Sequence, residues 1–186
     1  MKKQFNLSTK RLDIKTLRVS QISQEYIDGL NDVDVNKFLL TPRQVKQTEQ
    51  TVREFVLDNL NSASSVLFGL FFKPTGHLIG TFRVHNISYF HYSCAVGICL
   101  FDKSYWGRGL GQETLKKMVH FIFNELKMHY IEAGMYYGND SSIQLFKNCG
   151  FERIVTYRDK YRYDEHFRAV TFFGKTNRYF NMKLLK

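Results

Sequence analysis

Apolar and polar positions alternate over Arg11–Leu17, where Leu12, Ile14 and a closing Leu17 read as a strand. From Ser23 to Leu40 the period changes. Tyr26, Ile27, Leu30 and Val33 recur at helical spacing, and Val35, Phe38 and Leu39 follow a break at Asn31-Asp32. Val45–Leu60 is a third helical stretch, with Val52, Phe55, Val56 and Leu60 on one face. Ser65–Phe72, Leu78–Ile87 and Cys94–Phe101 are β-rich. Lys73-Pro74-Thr75-Gly76 turns between the first two, and Ser88–Tyr92 supplies a looser turn before the third. Leu110, Leu115, Met118, Val119, Ile122 and Leu126 then mark an amphipathic helix of about five turns. His129–Tyr137 reads as a strand, Ser141–Cys149 as a short helix stopped by Gly150, and Phe151–Tyr163 with Phe167–Lys175 as a hairpin. The order β-α-α-α-β-β-β-α-β-α-β-β predicts an α+β fold with a mixed, mostly antiparallel sheet rather than a doubly wound parallel one.

Composition narrows this picture. A chain of 186 residues with 44% hydrophobic and 16% aromatic content supports one well-buried core, so a single domain over 1–186 is expected. No linker, repeat or low-complexity stretch interrupts it. The basic start at Met1-Lys2-Lys3 lacks the apolar run of an ordinary signal peptide, and no stretch has the length of a membrane span. Cys94, Cys99 and Cys149 are an odd set without metal-site pairing, which points to reduced thiols in the cytoplasm and to no bound metal. A net charge of +10 suits nucleic acid, anionic lipid or a phosphorylated small molecule and does not choose among them.

The chemistry concentrates in Trp106-Gly107-Arg108-Gly109-Leu110-Gly111, between a strand and the long helix. Three alternating glycines let backbone approach a ligand closely, and the helix start offers unpaired N–H groups and a favourable dipole to an anion. Arg108 adds a fixed charge. At ~1.5–3 kcal/mol for each hydrogen bond to a charged group, three or four amides hold a pyrophosphate firmly. The Rossmann fingerprint fails because the third glycine comes one residue early, and the Walker loop fails at Gly111-Gln112-Glu113.

Trp106–Glu113 resembles the acetyl-CoA pyrophosphate loop of the GNAT acetyltransferase superfamily, especially its ribosomal-protein-acetyltransferase-like branch. Asn139-Asp140-Ser141-Ser142, Phe146 and Gly150-Phe151-Glu152 resemble its second signature. Arg11-Leu12, the Asn31-Asp32 region, Ile79-Gly80-Thr81 and Val96-Gly97-Ile98 are also similar, so the likeness runs from about Thr9 to Lys175. The resemblance implies the GNAT acyl-CoA N-acyltransferase fold, with two neighbouring strands splayed around the pantetheine. It implies that Ile98, Cys99, Leu100 and Phe101 offer backbone groups to the pantetheine and acetyl carbonyl, where an aimed amide stabilises a developing oxyanion. The amides of Trp106, Gly107, Arg108, Gly109, Leu110 and Gly111 would take the pyrophosphate. Asn139 would contact the cofactor or the reacting amide, its plainer role being a helix N-cap. Ser142 would sit near the sulfur and protonate the leaving thiolate, its plainer role being a backbone-satisfying hydroxyl.

One departure is clear: many relatives carry a tyrosine as general acid where Phe146 stands, so either Ser142 or water serves instead, or proton return is not limiting. A general base is needed because deprotonating a lysine-like amine at pH 7 costs about 4.6 kcal/mol, against about 1.1 for an α-amine. His85, which alternates with Thr81 and Arg83 on one strand face, and Glu132 on the later strand are the candidates. Nothing near Cys99 is arranged to lower its pKa, so a covalent acetyl-enzyme is rejected in favour of direct attack in a ternary complex. The expected function is acetyl transfer from acetyl-CoA to a primary amine, with a small acceptor such as a nucleotide-linked amino sugar favoured by the charge and by the likeness over Ile79–Phe151. A protein N-terminus is the close alternative. A non-catalytic acetyl-CoA sensor and a basic nucleic-acid module are the readings from another class, and a membrane partner is not expected. Tyr157–Tyr163, aromatic and basic, falls where relatives place the acceptor pocket or a homodimer contact.

Overall fold

The computed structural model describes residues 4–182, the side chain of Thr41 excepted. Met1–Lys3 and Lys183–Lys186, the ends of the expected 1–186 unit, lie outside them.

Eight strands form one sheet in the order β1-β2-β3-β4-β5-β6-β8-β7. They are β1 Asn6–Ser8, β2 Leu12–Thr16, β3 Val66–Phe72, β4 Leu78–Ser88, β5 Ser93–Cys99, β6 Tyr130–Tyr136, β7 Glu152–Tyr163 and β8 His166–Thr176. Every pair is antiparallel except β5 with β6. The helices are α1 Gln24–Asn31, α2 Val33–Asn36, α3 Leu40–Gln44, α4 Glu49–Asn61, α5 Leu110–Asn124 and α6 Asp140–Asn148.

Local chemistry sets most boundaries. Ser23, Asp32 and Thr48 cap α1, α2 and α4 by accepting from backbone N–H groups of the first turn. Asp32 therefore ends one helix and starts the next, which is why the expected 23–40 segment divides. Several expectations need correction. Val45 precedes α4 and stands 56% exposed, and Phe55 turns out of the apolar face to lie over the Arg83 guanidinium, 5.2 Å from ring centroid to carbon. Leu100 and Phe101 fall beyond β5, and α5 closes after 15 residues, nearer four turns than five. β1 was not foreseen: three residues carry too little alternation to register, and it exists because β2 offers it an edge.

Two apolar cores lie on opposite faces of the sheet. One joins β-strand residues such as Phe68, Phe82, Val96, Ala133 and Phe173 to Leu115, Met118, Phe121 and Ile122 of α5 and Phe146 of α6. The other packs Tyr26, Ile27 and Leu30 of α1 and Val52 and Val56 of α4 on Leu17, Leu67 and Phe101. Phe121 is fully buried and meets Phe5 and Phe68 edge-on at 4.9 and 5.7 Å between ring centroids, tying α5 to the sheet. Truncating it in Phe121→Ala is expected to cost about 3–5 kcal/mol in urea unfolding. A loss under about 1 kcal/mol would show that α5 does not anchor this core.

Candidate active site

The parallel pairing of β5 with β6 is short. It covers Ser93↔Tyr130, Cys94↔Ile131 and Ala95↔Glu132, and then it stops. From there β5 continues against β4 as far as Cys99, and β6 continues against β8 as far as Tyr136. Val96–Cys99 and Ala133–Tyr136 thus present facing edges with no ladder between them. A fork opens in the middle of the sheet, its closed end at the Ala95–Glu132 row. Backbone groups along such an edge need partners, and a ligand running as an extra strand supplies them.

At the open end of the fork the chain makes a 3-10 turn at Lys103–Tyr105 and enters the glycine loop. Gly107 and Gly109 adopt φ of 71° and 74°, in the left-handed region that a side chain strains, and Gly109 is the N-cap of α5. The first N–H of α5 with a partner belongs to Glu113, bonded to the Gly109 carbonyl at 3.1 Å. Among the described residues the amides of Gly107 to Gln112 have none. This is the donor set an oxyanion of pyrophosphate fits.

The loop is braced from outside. Arg11 donates from its backbone N–H to Glu113 Oε1 at 2.8 Å and from Nε to Oε2 at 2.7 Å, while its Nη1 holds the Arg108 carbonyl at 2.8 Å. Burial raises the Glu113 pKa, but hydrogen bonds from Thr9 and Arg11 and the Arg11 charge outweigh it and hold the carboxyl below its usual range. Lys103 pairs with Asp32 at 2.7 Å and Asp34 at 3.0 Å, fastening the loop to the junction of α1 and α2. The Trp106 indole donates to the Leu100 carbonyl at 2.8 Å. The Leu100 carbonyl thus already accepts one hydrogen bond and keeps one lone pair free. Phe101 is 3% exposed and stacked on Tyr26 at 4.7 Å, so its side chain belongs to the α1 core.

The sheet register places the catalytic candidates. His85 pairs with Ala95, and Ala95 pairs with Glu132, so the two candidate bases lie on one row and one face at the closed end of the fork. The bulge after His85, where Asn86 has φ 51°, turns the strand there. Burial first, then the nearby Arg83 charge, lowers the His85 pKa against a raising hydrogen bond with Asn86, which leaves the imidazole neutral at pH 7. Thr81 and Arg83 share that face, as their alternation implied. Arg83 Nε is held by Asn59 Oδ1 at 2.8 Å and Ser65 Oγ at 3.1 Å. Beside it the face is hollow, because a Cβ placed on Gly97 meets nothing within 4 Å.

Asn139 and Ser142 lie at the start of α6, beside the open arm of β6. Asn139 occupies the N-cap position, yet its side chain makes no capping hydrogen bond, and the Ser142 hydroxyl has no partner among the described residues. The plainer role of each is therefore not observed. Phe146 is 2% exposed and sits edge-on to Phe151 at 4.9 Å, a core residue. Burial pushes the Cys99 thiol up to about 12, which removes it as a nucleophile at neutral pH. The Arg11–Glu113 brace and the Tyr26–Phe101 stack had no local signal in the sequence, since each joins segments far apart in the chain.

A family description, the acetyltransferase (GNAT) domain, matches residues 11–152. The chain belongs to the GNAT acetyltransferases. It is 23% identical over 154 residues to the uncharacterized N-acetyltransferase p20 of Bacillus licheniformis, covering 82% of this chain and 85% of that one. Its fold matches a RimL ribosomal L7/L12 α-N-protein acetyltransferase in complex with coenzyme A at a TM-score of 0.82, with 13% identity and 90% and 95% of the two chains covered. It also matches a spermidine N-acetyltransferase from Vibrio cholerae in complex with CoA and spermine at 0.80, with 15% identity and 90% and 96% covered. At these identities the structures establish the GNAT fold, and the family match establishes an N-acetyltransferase. No helix among the described residues is long and apolar enough to cross a membrane.

Two outcomes follow for the loop of this GNAT protein. Gly109→Glu puts a side chain on a left-handed backbone and a negative charge among the unpaired amides of the loop, so calorimetry should register no acetyl-CoA binding in a variant that still unfolds cooperatively. Glu113→Gln removes the charge and one of the two acceptor oxygens of the Arg11 brace, worth ~1.5–3 kcal/mol per charge-assisted bond, and should weaken acetyl-CoA roughly 10- to 100-fold. Because the folded pKa of Glu113 is depressed, the brace is complete above the ordinary carboxylate range near ~4.3 and fails only as pH falls through the lower folded value. Unchanged affinity in Glu113→Gln would dismiss the brace.

Proposed function

We propose that this protein, acting as one domain over 1–186, transfers an acetyl group from acetyl-CoA to the primary amine of a small, phosphorylated acceptor such as a nucleotide-linked amino sugar. The observation that carries this is the fork itself: unpaired amides stand at its open end, and His85 and Glu132 share one row at its closed end. The residues fit the cofactor. Gly107 to Gln112 offer the pyrophosphate its donors, and the free edges of Val96–Cys99 and Ala133–Tyr136 take the pantetheine. Acetyl-CoA, when bound, supplies an activated thioester.

The chain's own residues do the rest. Neutral His85, or Glu132 through water, takes the proton from the incoming amine. A free amide of β5 near the closed end steadies the charge that develops on the acetyl oxygen. Ser142, without a hydrogen-bond partner among the described residues, or a water beside it returns a proton to the departing sulfur, while Asn139 orients the cofactor arm. The same reading places the protein in the cytoplasm, where acetyl-CoA and reduced thiols occur together. The +10 charge supports a phosphorylated acceptor over a polyamine.

The test is release of free thiol from acetyl-CoA with an amine panel: a UDP-linked amino sugar, an N-terminal peptide and spermidine. The sugar nucleotide is expected to turn over fastest. Turnover of the peptide alone moves the acceptor to a protein N-terminus, and tight acetyl-CoA binding with no turnover of any amine leaves a sensor. His85→Gln should lower kcat by roughly 10²–10⁴ without changing acetyl-CoA affinity. Because burial depresses the His85 pKa, the acid limb of kcat/KM should fall below the usual histidine range near ~6.5, and it should vanish in the variant. An acid limb that survives unchanged assigns the base elsewhere.

A further inference from the structure

One cluster outside the cofactor fork remains unexplained. Arg43 of α3 is buried to 8% side-chain exposure, and its Nε and Nη2 have no hydrogen-bond partner among the described residues. Its polar contact is an ion pair with Asp164, a residue 63% exposed at the tip of the β7–β8 hairpin. Below it lies Tyr163, whose ring centroid is 3.7 Å from the Arg43 guanidinium carbon and also 3.7 Å from that of Arg168. The Tyr163 hydroxyl donates to the Lys37 carbonyl at 2.7 Å, and its ring meets Tyr136 at 5.4 Å.

This cluster is continuous with the acceptor face. Glu132, Gly134 and Tyr136 alternate onto one side of β6, so Tyr136 stands about 13 Å along the strand from the row that holds the two candidate bases. Between the two ends Gly97 leaves open space, while the Phe172 ring covers Gly134, 3.1 Å from where a Cβ would stand. A cavity of about 420 Å³, bordered by Tyr163, Asp164, Glu165, His166 and Arg168, opens at the hairpin tip.

We infer that Arg43 and Arg168 read an anionic group, a phosphate, at the far end of the acceptor. The inference rests on the acetyltransferase reading and narrows its substrate class. A buried guanidinium with two unanswered N–H groups is an incomplete anion site, since a planar fork is made for two oxygens. Asp164 answers one nitrogen and, being exposed, loses little hydration when released. The phosphate takes its place and satisfies Nε and Nη2 as well. The exchange requires the hairpin tip to lift, and the strand is irregular there: the β7–β8 register shifts between Tyr157 and Tyr161, and Asp159 and Asp164 have φ of 34° and 56°. A polycation brings no oxygen to answer the open Arg43 donors and cannot replace Asp164, which sets spermidine against this site.

The experiment titrates four probes into the protein saturated with CoA: UDP-glucosamine, glucosamine 6-phosphate, glucosamine and spermidine. The two phosphorylated amines are expected to bind at least ten-fold tighter than the other two. Arg43→Gln and Arg168→Gln should each close that gap while acetyl-CoA affinity stays at its wild-type value. Asp164→Asn removes the competing carboxylate and should widen the gap, which keeps the proposal testable if Arg43→Gln fails to fold. Equal binding of phosphorylated and plain glucosamine, a gap that survives both arginine variants, or preference for spermidine overturns it. An acidic N-terminal peptide binding with the same arginine-dependent gap also overturns it, in favour of a protein acceptor. Failure of the protein to bind acetyl-CoA at all is a separate result and removes the acetyltransferase reading instead.

Discussion

A parallel strand pair that ends after three residues is the constraint on which the rest of the molecule depends. Two strands at the centre of a sheet normally satisfy each other, and leaving them apart strands backbone donors and acceptors in a region otherwise packed on both faces. The separation must be maintained by what lies outside it. On one arm β4 holds β5 through Cys99, and on the other β8 holds β6 through Tyr136. Apolar cores on opposite faces of the sheet bind these outer strands to the helices, so neither arm can swing inward without giving up buried surface. The fork is a cleft enforced by packing elsewhere.

The same logic explains why the glycine loop needs its long-range ties. A helix N-terminus with several unpaired amides is electrostatically positive and has little to hold it in shape. Arg11 spans 102 residues of sequence to fix Glu113 and the Arg108 carbonyl, and Lys103 ties the loop to the acidic cap between α1 and α2. Glu113 also places a negative charge in the first turn of α5, the end where the helix dipole favours one. Trp106 seals the remaining side by closing on Leu100. Each tie uses side chains and carbonyls, so the amides stay available.

How much of this could be read in the sequence follows from where the information resides. The loop was legible because alternating glycines before an amphipathic helix encode their backbone geometry locally, and both Gly107 and Gly109 take left-handed conformations. The strand–helix order was legible for the same reason. His85 and Glu132 could be named separately, but only the register brings them to one row. β1 was invisible because three residues carry no pattern, and the Trp106 bond to the Leu100 carbonyl because no local rule pairs the two. Arg43 had no signal of its own, since its partner lies 121 residues away; only the aromatic, basic stretch Tyr157–Tyr163 beside that partner stood out.

The two ends of the acceptor face therefore differ in physical kind. Near the fork, burial and the Arg83 charge keep His85 neutral, the form its proposed role as base needs. At the hairpin, cations are concentrated against tyrosine rings and one stays buried with unmet donors. An acceptor with a neutral amine at one end and negative charge at the other is complementary to both. A polyamine, cationic along its length, has no oxygen with which to answer the open donors of Arg43. Shared fold with a spermidine enzyme therefore does not carry shared substrate: on the proposed reading, it is the α3–hairpin contact that distinguishes one amine from another.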